Sequence, residues 1–177
     1  MRLFIAINLS EKTRNGLLAL RDELISRTED GNFTTPENLH LTLAFLGECN
    51  AKQVFTAKTA MDSVRFMPID ILIERVGRFG HGGEPGEALW WAGVKENEPL
   101  IGLQRDLTGK LTGAGFSLDK RKYSPHITLG RRVVTDAATW RITPFGETVY
   151  KIDLMKSERI NGKLTYTPIH EKRANVL

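Results

Sequence analysis

His-Leu-Thr-Leu at residues 40–43 returns as His-Ile-Thr-Leu at residues 126–129, and each tetrad closes a longer pattern that is also repeated. Residues 2–46 read as strand, capped helix and strand, and residues 88–132 read the same way. Phe4 and Trp90, in the two opening strands, share the offset that separates His40 from His126. No other feature constrains the fold as much. Two copies of one unit face each other, and strands outside the units complete their sheets. Two copies are too few for a solenoid, which stacks at least about three repeats to bury a continuous core.

Local signals fill in this frame. Arg2–Asn8 is rich in Leu, Phe and Ile and reads as a buried strand. Ser10 is a helix N-cap, and Leu17, Leu18, Leu20, Leu24 and Ile25 follow at helical spacing. Residues 31–36 read as loop and Leu39–Leu46 as the second strand. Asn50 and Gln53 predict a capping box for a helix running to about Val64. Ile69, Ile71 and Ile73 then alternate as a strand. The stretch GRFGHGGEPGE at residues 77–87 has five glycines and a proline and predicts a flexible loop. In the second unit, Ala88–Val94 is a strand and Asn97-Glu98-Pro99 starts a helix. Leu100, Leu103, Leu107 and Leu111 form its stripe, and a strand follows within Tyr123–Arg132. The chain to Pro144 reads as irregular. Thr148–Lys156 and Lys163–His170 read as strands joined across Asn161-Gly162, a hairpin signal.

On a strand, residues i and i+2 share a face. His40 and Thr42 therefore face one way and Leu41 and Leu43 the other, and the second tetrad repeats the split. The leucine faces belong in a core. The His/Thr faces, brought together by a pseudo-two-fold arrangement, place two imidazoles and two hydroxyls in one cleft. Two imidazoles move protons near neutral pH, one as base and one as acid. Two hydroxyls donate to non-bridging oxygens. That set suits in-line displacement at phosphorus and calls for no metal, and neither tetrad has a third ligand at metal-binding spacing. His81, in the glycine stretch, and His170, near the tail, have no such partners and read as structural.

The flanking charge agrees. Lys120, Arg121 and Lys122 precede the second tetrad, and Arg131 and Arg132 follow it. They suit a positive mouth for phosphate, within a net charge of +4. Strict alternation puts Arg132 on the face of His126, unless a bend at Gly130 reverses the parity. Tyr123, Trp90, Trp91 and Phe79 are candidates for stacking a nucleobase. The single cysteine, Cys49, rules out an internal disulfide. The longest run without Asp, Glu, Lys or Arg is ten residues, Asn38–Gly47, too short to span a membrane. A cytoplasmic monomer without membrane contact is expected.

With RLFIAI, HLTLAFLG, YSPHITLGR and LMKSERINGKLTYTPI, the paired motif resembles the two-histidine phosphoesterases, and within them the RNA 2′,3′-cyclic phosphodiesterase branch also called 2′-5′ RNA ligase-like. The resemblance covers nearly the whole chain. It implies an α+β fold: one domain, residues 1–177, of two pseudo-symmetric lobes whose antiparallel sheets line a central groove, with helices packed outside. It implies hydrolysis of RNA 2′,3′-cyclic phosphate to the 2′-phosphomonoester without a cofactor, the partner being an RNA or nucleotide with that terminus. His126 is then the base that activates water, His40 the acid on the leaving 3′ oxygen, and Thr42, Thr128 and Arg131 the phosphate ligands. The two histidines exchange roles if the substrate enters the other way round. Reversible 2′-5′ ligation of RNA halves, and a nucleotide-binding module without chemistry, remain as alternatives.

Overall fold

The computed structural model describes residues 1–80 and 87–176. In chain order the elements are β1 (Arg2–Asn8), α1 (Glu11–Ser26), β2 (Asp30–Phe33), a 3-10 turn (Pro36–Asn38), β3 (His40–Glu48), α2 (Ala51–Ser63), β4 (Ile69–Gly80), β5 (Glu87–Val94), α3 (Glu98–Gly113), β6 (His126–Val134), β7 (Trp140–Val149), β8 (Lys151–Ile160) and β9 (Lys163–Arg173). The strands form two antiparallel sheets, ordered β3-β1-β8-β9 and β2-β6-β5-β4-β7. Each tetrad opens its strand: β3 in the first sheet and β6 in the second.

The helices start where side chains satisfy their free N–H groups. Ser10 caps α1, Asn50 and Gln53 form the reciprocal box on α2, and Asn97 caps α3 by accepting from the Leu100 N–H at 2.8 Å. The helices interlock the halves. α1 leaves β1 of the first sheet but packs on β6 and β7 of the second, and α3 leaves β5 of the second sheet but packs on β3 of the first. Leu17 and Leu24 of α1, and Leu100, Leu107 and Leu111 of α3, are fully buried in one core with Leu41, Leu43, Ile127 and Leu129. The leucine faces of both tetrads thus hold the sheets to the helices and leave the opposite faces for the groove. No helix among the described residues is long and apolar enough to cross a membrane.

Several boundaries differ from the sequence reading. Residues 77–80 continue β4 instead of starting a loop, while residues 81–86, His81 included, lie outside the described residues. Asp30–Phe33, read as loop, is an edge strand held by β6. Of the stretch read as irregular, residues 135–139 form no element, but Trp140–Pro144 begin β7, which pairs only with β4 and so accommodates a proline on an edge strand. Thr148 and Val149 end β7, and β8 begins at Lys151. His170 is paired with Asp62, its Nε2 2.7 Å from Oδ1.

Candidate active site

β2 covers only residues 130–134 of β6, so the tetrad end of β6 turns its edge toward β3 of the other sheet, and β3 and β6 pack together there. Two hydroxyls tie the edges. Tyr123 Oη donates to the Thr42 carbonyl at 2.8 Å, and Thr34 Oγ1 donates to the Thr128 carbonyl at 2.8 Å. Each motif threonine is thus held through its backbone by a residue that precedes the other motif.

The two imidazoles are anchored alike. His40 Nδ1 is 2.7 Å from the Asn38 carbonyl, and His126 Nδ1 is 2.7 Å from the Ser124 carbonyl. Asn38 is itself fixed, its side chain donating to the Leu164 carbonyl of β9. His40 Nε2 lies 2.8 Å from Thr42 Oγ1. Each ring also has an aromatic wall. Phe4 and Tyr166 stand 4.9 and 5.3 Å from His40, and Phe79 and Trp91 stand 5.0 and 6.3 Å from His126. This enclosure holds both histidines below their ordinary pKa, because burial penalises the charged ring. The Arg131 charge pushes both the same way, and His126 adds to the effect on His40.

Arg131 acts on both imidazoles because β6 bulges. Trp91 pairs with Thr128 but Trp90 pairs with Gly130, so Leu129 is skipped and the parity reverses at Gly130. Arg132 then takes a left-handed backbone, φ 53°, and Val133 returns to the core. β3 has the matching bulge: Thr42 pairs with Ala6, and Ala44 with Ile5. The place of Arg131, five residues past its histidine, is taken in the first half by Phe45, which is 60% exposed and packs 5.9 Å from Phe4.

Trp90 does not reach the groove. It is 0% exposed, with its ring 6.1 Å from Trp140 in the core. Asn8 pairs with His40 and Ala6 with Thr42, whereas Gly93 pairs with His126 and Trp91 with Thr128. The opening strands are one residue out of step with the tetrads, and a one-residue slip exchanges faces. Trp91 therefore takes the position expected of Trp90. Its ring lies against Gly77 and Gly93, where any Cβ would collide with it. Tyr123 packs against the core and commits its hydroxyl to Thr42, and burial raises its pKa well above the usual tyrosine value. Phe45 and Tyr166 are absent from the sequence reading, and Phe4 enters it only as a member of the opening strand, not as a wall of His40. Phe4 was legible as the strand residue two positions from Ala6, but Tyr166 has no signal beyond its hairpin. Among the described residues, no three His, Cys, Asp or Glu side chains stand where they can share a metal ion.

A family model described as LigT-like phosphoesterase matches residues 7–90. An RNA 2′,3′-cyclic phosphodiesterase of Archaeoglobus fulgidus is 36% identical over 131 residues, covering 74% of this chain and 72% of that one. The chain belongs to the LigT-like phosphoesterase family. It is the family that the paired tetrads resemble. A protein of the same name from Escherichia coli K12 is 29% identical over 173 residues, 95% of this chain and 93% of that one. The crystal structure of E. coli LigT in apo form, 24% identical, aligns with a TM-score of 0.83 over 99% of this chain and 98% of that one. The family fold is thus the one described above, two antiparallel sheets with three helices.

Proposed function

We propose that the protein hydrolyses RNA ends carrying a 2′,3′-cyclic phosphate to the 2′-phosphomonoester, by proton transfer between His126 and His40 and without a metal ion. The matched anchoring of the two rings carries this reading. A backbone carbonyl only accepts, so each Nδ1 keeps its proton. The neutral ring is then fixed with a basic Nε2 lone pair, and the protonated ring presents Nε2–H as an acid. A proton on His126 disfavours a second on His40, so the two rings resist carrying two protons at once. The singly protonated pair is the state in which one ring is base and the other acid.

In the forward reaction His126 Nε2 takes a proton from water as its oxygen attacks phosphorus. The bond from phosphorus to the 3′ oxygen breaks, and His40 Nε2–H protonates the departing oxygen. The hydroxyls of Thr42 and Thr128 and the guanidinium of Arg131 hold the non-bridging oxygens, where negative charge builds in the transition state. The names of the A. fulgidus and E. coli relatives, both RNA 2′,3′-cyclic phosphodiesterases, support the substrate class.

The test is product analysis on an oligonucleotide ending in 2′,3′-cyclic phosphate. The wild-type protein releases the 2′-phosphate, with or without EDTA. His40→Ala and His126→Ala each lower kcat by about 10²-fold or more. Full activity in both single variants refutes the reading.

A further inference from the structure

One row of register partners crosses the groove face of the second sheet. His126 on β6 pairs with Gly93 on β5, Gly93 with Arg75 on β4, and Arg75 with Arg141 on β7. Strands lie about 4.8 Å apart, so Arg75 and Arg141 sit about 10 and about 14 Å from His126 along the row. Gly93 opens the path between them. A Cβ there would stand 2.9 Å from Arg75 Cγ and 3.1 Å from its Nε, so the Arg75 side chain leans across the glycine toward His126. Its guanidinium lies 4.9 Å from the centre of the Trp91 ring, and that ring also faces His126.

Two arginines directly opposite each other on neighbouring strands repel. Among the described residues no carboxylate lies within ion-pair distance of either one. Both are exposed, and both line a cleft of about 360 Å³ with Trp91. The fold thus accepts a like-charge pair, in line with one imidazole and beside a stacking surface, at a place where an anion relieves the repulsion.

We propose that Arg75 and Arg141 form a subsite for the next phosphodiester of the RNA, on the 5′ side of the nucleotide that carries the cyclic phosphate. The inference rests on the phosphodiesterase reading. A nucleoside 2′,3′-cyclic phosphate has a 5′-hydroxyl and leaves the pair unmet, whereas a dinucleotide with the same end supplies the charge. The subsite makes the protein select chain ends over free cyclic nucleotides.

Steady-state rates on those two substrates, at several salt concentrations, decide the matter. The wild-type protein prefers the dinucleotide. Arg75→Met/Arg141→Met lowers that preference by about tenfold, in keeping with the loss of hydrogen bonds to a charged group. The salt dependence of kcat/KM on the dinucleotide also becomes shallower, as fewer phosphates are neutralised. Gly93→Ala, whose methyl presses on both Arg75 Cγ and the Trp91 ring, moves the preference the same way. An active protein whose substrate preference is unchanged in the double variant overturns the subsite alone. A wild-type protein inactive on both substrates overturns the phosphodiesterase reading, and this inference with it.

Discussion

Replacing Tyr123 with phenylalanine removes one oxygen and tests whether the two halves set the spacing of the active site. The lost bond runs 2.8 Å from Tyr123 Oη to the carbonyl of Thr42, whose own hydroxyl lies 2.8 Å from His40 Nε2. The remaining ring fits the same space, so no cavity opens. A neutral hydrogen bond of this kind contributes about 1 kcal/mol, and stranding an enclosed carbonyl costs about 1–3 kcal/mol. The expected loss is about 2 kcal/mol, or about 4–8 °C in Tm for a chain of this length. The catalytic effect exceeds what stability alone explains. The Thr42 backbone sits beside the β3 bulge, where pairing to β1 is interrupted. A displacement of 1 Å in a reacting geometry costs about 10²-fold, so a partial relaxation lowers kcat by about tenfold while KM holds. Thermal denaturation by circular dichroism and steady-state kinetics well below Tm measure both. Thr34→Val, which deletes the matching bond to the Thr128 carbonyl, has the same signature. A Tyr123→Phe protein with wild-type Tm and kcat, or one that changes only KM, refutes the strut.

The pH dependence follows from the enclosed imidazoles. Burial holds both below about 6.5, so the bell of kcat/KM is centred on the acid side of that value, and bound anionic substrate moves the bell of kcat upward. A kcat/KM that keeps rising above pH 7 contradicts this. The same depression affects stability: the unfolded chain binds the extra protons, so stability is whole above about pH 6.5 and falls as pH drops through it, which denaturant titrations at pH 5 and 7 check. Gly146→Ala prevents normal folding, because the new methyl overlaps the Ile71 carbonyl on the neighbouring strand, and a soluble, cooperatively melting variant refutes that.

Much of this molecule was legible in its letters because local chemistry and tertiary need agree there. The caps at Ser10, Asn50 and Asn97 and the split of each tetrad into leucine and histidine faces are local facts, and the structure repeats them. Where the reading failed, a distant partner decides. Asp30–Phe33 has no strand composition and is a strand because β6 pairs with it. Glycines 77 and 80 suggest a loop, yet β4 runs through them, and Gly77 is needed bare because the Trp91 ring lies on it. Trp90 and Trp91 are adjacent identical letters, and only the slip between β5 and β6 tells which of them meets His126. Arg131 and Arg132 pose the same ambiguity, and the bulge at Gly130 resolves their facing.

A groove built from two equivalent halves offers an anion two equivalent approaches, related by half a turn. In this chain the halves differ where direction is set: a guanidinium stands five residues past one histidine and a phenyl ring five past the other. On the proposed function, a phosphate is drawn toward Arg131 and a flat, uncharged group toward Phe45, so the half-turned approach loses on both counts. On that reading the duplication supplies two proton carriers, and this unmatched pair tells the strand which way to lie.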